Sequence, residues 1–385
     1  MELHQLGLLR EFHTGVAFVE GGWGERLCKL LPSGLGRRLA NRKIAKLPAA
    51  MLRCHPLVEL VALQRIRGGA DTQYALHRRN ERFQHAIPFS ALAASNAVIG
   101  FDTSSWVLAA RCAEVGIPLI LDQSIGHPDG KLEIYERVRK RYPEWGGEVE
   151  VRSPEVRMVE GLEHEQARIV VAASSFTRQT LARHGVPEDK IRINPYGVDA
   201  AKFTPCGRKD KRPFRFLFVG SITARKGVPL LLEAWKMLKT LEAELWLVGP
   251  ASSRVLSLIP QLKGLRYLGP VPHTDLPPLF NQCDVMVFPS YFEGFGLVIL
   301  EAMASGLPVL TTTATVGADI ISQGKDGWVI DPDDLERLVD FMRECLVKRS
   351  LVMEMGLCAR RTAERFTWSS YGLRWAQIIR EVCVN

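Results

Sequence analysis

Two glutamates and two glycines within residues 293–301 carry the most legible chemistry of this sequence: Glu293-Gly294-Phe295-Gly296, then Leu297 and, at the eighth position after the first glutamate, Glu301. The glycines lie between an apolar run, Val285 to Phe288 broken by Pro289, and a second apolar run that starts at Leu297. That is the pattern of a strand, a tight turn and a buried helix. Such a corner leaves the first amides of the helix unpaired and aimed above the sheet, where the helix dipole favours an anion. Glutamates eight apart lie roughly two helical turns, about 12 Å, from each other along the axis. On that spacing neither is well placed to neutralise a cation at the turn. Both can accept hydrogen bonds from hydroxyls at opposite ends of an elongated ligand with a negative centre, and a sugar joined through a diphosphate to a ribose has that form. The bland alternative is a corner in which Glu293 caps the helix and Glu301 is solvated.

A second turn of the same kind runs Gly220-Ser221-Ile-Thr-Ala-Arg225-Lys226-Gly227, between the apolar strand 214–219 and a helix over 228–238. Fixed cations there stabilise a diphosphate that gains charge as it leaves, more in the transition state than before it; a solvated Arg-Lys pair is the plain reading. His127 ends the segment Asp122-Gln-Ser-Ile-Gly-His127, after a strand over 118–122. Residues at the carboxyl ends of parallel strands face a ligand crevice, so His127 can bind a donor hydroxyl or orient an acceptor, or be structural, and Asp122 is a weaker candidate. Asp331-Pro332-Asp333 is a literal Asp-x-Asp, but the amphipathic run Leu335, Leu338, Val339, Met342 that follows makes Asp333 an expected helix N-cap rather than a metal ligand. No metal site is expected.

The elements that hold these residues alternate strand and helix. Apolar runs over 97–101 and 118–122 flank a helix-like 105–113, a charged helix over 160–165 leads to a strand from 168, and further strands are expected over 245–248 and 308–313. This βαβ alternation builds parallel sheets. Residues 205–213 read as a polar linker. The opening is less regular. Glu2 to Glu11 looks helical, and the first clear strand, Gly15 to Val19, precedes Gly21, Gly22 and Gly24. Either this is the opening strand with its glycine loop, or the first strand is missing; the second reading is preferred.

With 385 residues, 46% apolar and 24% charged, the chain is long enough for two cores. No apolar run approaches a membrane span, and Glu2, His4 and Gln5 stand where a signal peptide needs an apolar core, so a cytoplasmic protein is expected. Eight cysteines without metal spacing read as reduced thiols. The net charge of +8 invites nucleic acid, but no basic-aromatic interleaving supports it, and no nucleic-acid partner is expected. The charge gathers instead between Arg26 and Arg53, where eight basic and no acidic residues alternate with leucines. That segment fits an anionic membrane surface, peripheral at the inner face, or else a solvated face or an acceptor-phosphate site.

The full string Glu-Gly-Phe-Gly-x4-Glu-Ala-Met-Ala-x-Gly-x-Pro-Val, from Glu293 to Val309, resembles the donor-site motif of retaining glycosyltransferases of family 4, group 1. Pro195-Tyr-Gly-Val-Asp199, Tyr267-Leu-Gly-Pro-Val-Pro272, Gly317-Ala-Asp319 and Phe366-Thr-Trp-x2-Tyr371 resemble further family segments, although the family's arginine after the first glycine is Ser221 here. The resemblance covers residues 160–380 well and the earlier part in outline. It implies an α/β protein of GT-B fold, with two Rossmann-like, doubly wound parallel-sheet domains facing a cleft. Residues 1–205 would be the acceptor-side domain, 213–366 the nucleotide-sugar domain and 367–385 a closing helix that returns to the first. The implied reaction is glycosyl (hexosyl) transfer, with retention and without metal or cofactor, from a nucleotide-diphosphate sugar to a hydroxyl on a sugar, lipid-linked or small-molecule acceptor, in polysaccharide or glycolipid biosynthesis. Its implied machinery is Glu293 on the sugar, Arg225 and Lys226 on the diphosphate and His127 near the reacting centre. Gly220, Ser221, Gly294, Phe295, Gly296 and Leu297 would line the donor, with Glu301 on the ribose. Two rivals share the architecture: a nucleotide-sugar epimerase, which needs acid/base groups not identified here, and a catalytically impaired nucleotide-sugar- or membrane-binding protein.

Overall fold

The protein is described from a computed structural model over residues 1–20, 42–44, 47–148, 153–206, 212–238 and 242–384. Of the basic segment, Arg26, Lys29, Arg37, Arg38 and Lys46 lie outside these residues, as do Gly21, Gly22, Gly24 and most of the expected 205–213 linker.

Strands β1 (Phe12–Thr14), β2 (Phe18–Val19), β3 (Lys43–Ile44) and β4 (Leu52–Cys54) form two parallel pairs, β1 with β4 and β2 with β3. The helix expected over Glu2 to Glu11 spans only Glu2–Gln5, and Gly7 at φ 69° follows it. Of the strand expected at Gly15 to Val19 only Phe18–Val19 forms, β1 having ended at Thr14, and Gly15 between the two strands lies against the Glu59 carboxylate. Strands β5 (Val98–Phe101), β6 (Leu119–Gln123), β7 (Ile169–Ala172) and β8 (Ile191–Ile193) follow one another in a four-stranded sheet.

The second large sheet contains β9 (Phe214–Val219), β10 (Ala243–Val248), β11 (Leu265–Gly269), β12 (Val285–Phe288), β13 (Val309–Thr312) and β14 (Gly327–Ile330), ordered β11-β10-β9-β12-β13-β14 and parallel throughout. In order of appearance this is 3-2-1-4-5-6, the doubly wound arrangement whose winding reverses between the first and fourth strands. Strands β10, β12 and β13 are buried along their whole length, as expected of strands covered on both faces. The helix Val228–Leu238 lays Val228, Leu231, Ala234 and Trp235 into the core at helical spacing. The helix Leu335–Val347 does the same with Leu338, Val339, Met342 and Cys345. Its N-cap is Asp334, which accepts from the Arg337 amide, and not Asp333 as expected. Asp333 stands one residue before that cap, at φ 74°. Strand β14 and the helix Arg349–Ala363 had no counterpart among the sequence expectations.

By contact density the chain forms two compact units. One contains residues 1–122, 152–171 and 372–385, with a core of Ile87, Leu92, Leu108, Ala109, Cys112 and Leu119. The other contains 123–151 and 172–371, and its core runs from Val138 to Ala363 around the six-stranded sheet. The last helix, Trp368–Val384, joins the first unit from Gly372 on. Among the described residues no helix is long and apolar enough to cross a membrane.

Candidate functional site

The turns after β9 and β12 emerge side by side at the reversal of strand order, where open α/β sheets present a crevice at the strand carboxyl ends. They are joined by backbone contacts. The Tyr291 amide donates to the Arg225 carbonyl at 2.8 Å, and the Ser290 hydroxyl donates to the same carbonyl at 3.2 Å. Gly227, at φ 74°, comes so close to the Pro289 carbonyl that a Cβ would lie 1.9 Å from its oxygen. Only glycine satisfies both demands.

Glu293 is 7% exposed at the centre of this junction. One of its oxygens, Oε1, receives Arg225 at 2.6 Å, Lys226 Nζ at 2.5 Å and the Ser290 hydroxyl at 3.0 Å. The expectation that Glu293 is badly placed to neutralise a cation is therefore overturned: the turn after β9 folds its two cations onto this carboxylate. Burial acts to raise the Glu293 carboxyl, yet the charges of Lys226 and Arg225 outweigh it and hold the group below the ordinary carboxylate range. Burial pushes the Lys226 ammonium below its usual value against the pull of Glu293, because one carboxylate serves two adjacent cations. Arg225 also donates to the Phe292 carbonyl at 2.6 Å.

Gly294 is fixed from both sides. Its carbonyl accepts from the Ser174 hydroxyl at 2.6 Å and the Thr177 hydroxyl at 3.0 Å, and a Cβ on it would lie 1.8 Å from the Ser124 carbonyl oxygen. The helix starts at Leu297 with Gly296 as N-cap at φ 87° and no side-chain cap. Among the described residues the amides of Gly294, Gly296, Leu297 and Val298 find no acceptor. A left-handed cap, open amides and two neighbouring cations together make a corner whose chemistry suits an anion. Phe295 is buried and packs on Tyr196, with ring centroids 5.0 Å apart. Gly220 and Gly249, at the ends of β9 and β10, pass so closely that a Cβ on Gly249 would meet the Gly220 carbonyl, while Ser221 is exposed beside them.

Because the helix spans only Leu297–Ala304, Glu293 lies outside it and Glu301 one turn within it, so the two are not joined by two turns of one helix as the spacing suggests. Glu301 Oε1 accepts from His273 Nε2 at 2.6 Å, and His273 Nδ1 accepts from Lys202 Nζ at 3.0 Å. His273 is a partner that sequence reasoning missed, since nothing local links it to residue 301.

His127 is buried in the same unit as the corner. It N-caps the helix Pro128–Arg141, Nδ1 accepting from the Asp129 amide at 3.2 Å, which leaves the ring proton on Nε2. The His184 ring stacks on it at 4.7 Å, and burial, then the charge of His184, pushes its pKa down to about 4. The neighbouring Gly126 packs against the Phe292 ring, so the loop 124–127 touches the turn that carries Glu293. Asp122 belongs to the other unit, where burial, followed by the charge of Asp102, raises it to about 7.

Further residues of the corner were not legible in the sequence. Tyr291 donates to Asp333 Oδ1 at 2.7 Å, and Arg141 approaches the same oxygen at 2.7 Å. Asp319 accepts from the Ser175 amide at 2.8 Å, at the start of the helix Ser175–Arg183, whose N-cap is Ser174. Ser174 and Thr177 gave one signal, their place directly after a buried strand.

Residues 213–348 match the family model described as Glycosyl transferases group 1. The chain is 30% identical over 255 residues to the D-inositol 3-phosphate glycosyltransferase of Pseudarthrobacter chlorophenolicus, a match covering 60% of this chain and 60% of that protein. The chain thus spans less than two thirds of that relative's length. Among solved structures it resembles the sucrose-phosphate synthase of Thermosynechococcus elongatus, at TM-score 0.65 and 21% identity over 81% of this chain and 80% of that one. It also resembles Anabaena Alr3699/HepE in complex with UDP-glucose, at TM-score 0.61 and 15% identity over 96% and 98% of the two chains. These likenesses give the fold class: α/β with parallel sheets of the GT-B type.

Proposed function

We propose that the chain transfers a sugar from a nucleotide-diphosphate donor to a hydroxyl acceptor, with retention at the anomeric carbon and without a metal. The observation that carries this reading is the corner itself: two cations, a shared carboxylate and open amides where the winding of a Rossmann-like sheet reverses, within the segment that matches the group 1 family. The neighbour solved with UDP-glucose supports the donor class, and the relative named for D-inositol 3-phosphate supports a hydroxylated small-molecule acceptor.

In this mechanism Arg225 and Lys226 exchange partners. The diphosphate takes the cations from Glu293, and the freed carboxylate accepts hydrogen bonds from the sugar. As the glycosidic bond breaks, charge grows on the diphosphate against two cations and the amides of Gly294 to Val298, so the leaving group is stabilised most where its charge is greatest. Those groups supply the neutralisation that a metal gives elsewhere. Glu301 exchanges His273 for the ribose, and His127, neutral with its proton on Nε2, serves as a donor near the reacting centre. We assign residues 1–205 to the acceptor side, 213–366 to the nucleotide sugar and 367–385 to closure, in the cytoplasm. The basic segment from Arg26 to Arg53, followed in the sequence by the exposed Leu57, Leu60 and Leu63, makes an anionic membrane surface the proposed docking partner.

The test is a panel of nucleotide sugars, measured for binding by calorimetry and for hydrolysis and transfer with and without acceptors. Micromolar binding of one donor with acceptor-dependent turnover is expected. Binding without turnover under every condition would identify the catalytically impaired protein instead, and no binding at all would remove the reading.

A further inference from the structure

A cavity of about 390 Å³ opens on the β1/β4 pair in the first unit, far along the chain from the corner described above. Its wall contains a chain of three titratable side chains. Glu11 Oε2 accepts from His13 Nε2 at 3.1 Å, and His13 Nδ1 pairs with His55 Nε2 at 3.1 Å. With the His13 proton held toward Glu11, Nδ1 of that ring must accept, so His55 donates through Nε2 and keeps Nδ1 as a bare acceptor. The rings stack at 5.4 Å with 13° between their planes, which fixes the arrangement. Burial pushes the His55 pKa down, which favours the neutral ring.

Two guanidinium groups line the same cavity. Arg53 is braced by the Ala50 carbonyl at 2.7 Å and by Glu11 Oε1 at 3.1 Å, whereas Arg10 makes no ion pair or hydrogen bond among the described residues. Glu11 has both oxygens engaged, so the wall presents net positive charge together with the Ser90 hydroxyl and the His55 acceptor. A metal cation is the wrong guest: two arginines repel it, and among the described residues no three ligating side chains converge. An oxyanion fits, since planar guanidinium forks match its oxygens. The space exceeds a bare phosphate and falls in the range of small-molecule pockets. Arg10 and Glu11 precede β1 while His55 directly follows β4, so the cavity runs along the strand pair from before one strand to the carboxyl end of the other.

We propose that this cavity binds a small, soluble phosphorylated polyol, with the phosphate between Arg10 and Arg53 and a hydroxyl donated to His55 Nδ1. The full chain is titrated calorimetrically with glycerol 3-phosphate, inorganic phosphate and glycerol. Glycerol 3-phosphate is expected to bind saturably and at least about tenfold more tightly than phosphate, with no binding of glycerol. Arg10→Ala and His55→Gln should each weaken it about tenfold, while Lys226→Ala leaves it unchanged. Arg10 is exposed and makes no pair among the described residues, so its substitution tests the site even where the His55 variant folds poorly. Absence of binding, or binding lost in Lys226→Ala and kept in Arg10→Ala, overturns the proposal. So does sedimentation with phosphatidic acid vesicles without binding of the soluble phosphate, which would assign the pocket to a lipid headgroup.

Discussion

At the scale of single residues, the ion cluster around Glu293 sets the expectations. Lys226→Ala should lower turnover about a hundredfold or more with little change in donor binding, because its charge matters most as the diphosphate leaves. Glu301→Ala should instead weaken donor binding about tenfold, read by calorimetry. Glu293→Gln is the sharper case. It leaves two buried-side cations without their carboxylate and should cost about 3 kcal/mol in denaturant unfolding. The same change should tighten binding of a nucleoside diphosphate, since the competing internal anion is gone, while turnover of the intact donor falls. A variant that loses stability and diphosphate affinity together would contradict the exchange of partners. His127 gives a pH signature. Its folded pKa, near 4, lies below the unfolded value of 6.5, so its contribution is present above pH 6.5 and declines as the pH falls toward 4. His127→Gln should flatten that acid limb in thermal melts at pH 4 to 7.

At the scale of elements, the anion corner depends on loops held by contacts from outside the six-stranded sheet. Asp333 bonds Tyr291, two residues before Glu293, from a positive φ that non-glycine residues adopt at a cost. Asp333→Ala should therefore destabilise the fold and raise the donor KM. Asp333→Gly should lose the same bonds but recover about 1 kcal/mol by relieving the backbone, and the difference between the two unfolding midpoints checks this. These elements also show what local sequence can and cannot tell. Strands 214–219 and 285–288 and the helix 228–238 were legible to the residue, because buried apolar runs stop abruptly at Gly220 and Pro289 and start abruptly after Gly227. Asp333 was misread as a cap because its backbone conformation is imposed by Tyr291 and Arg141, far away in sequence. The Glu293 pairing was misread for the same reason: eight-residue spacing suggested one continuous helix, but Gly294 to Gly296 interrupt it, and cations from a turn 68 positions earlier in the chain fill the gap. The short strand 327–330 escaped because it opens on Gly327 and leaves an apolar run of only Trp328 to Ile330, whereas 285–288 is apolar throughout.

At the scale of the whole molecule, the compact units do not coincide with contiguous stretches of chain. The backbone passes between them at 122/123, 151/152, 171/172 and 371/372. Ser124, Ser174 and Thr177, which fix Gly294, lie outside residues 213–366 although they belong to the same unit. A fragment of 213–366 should consequently melt well below the full chain and bind nucleotide sugars weakly, as thermal melts and calorimetry would show. Equal melting and equal affinity would mean that the corner is built without those contacts.

The interleaved path also governs how the protein is made. Residues 1–122 leave the ribosome before 172–371, yet they share a unit with 372–385, which are translated only after that stretch. The first unit thus waits, incomplete, while the second is synthesised, and a nascent chain halted at any point before 372 holds an unfinished hydrophobic surface that invites chaperone capture.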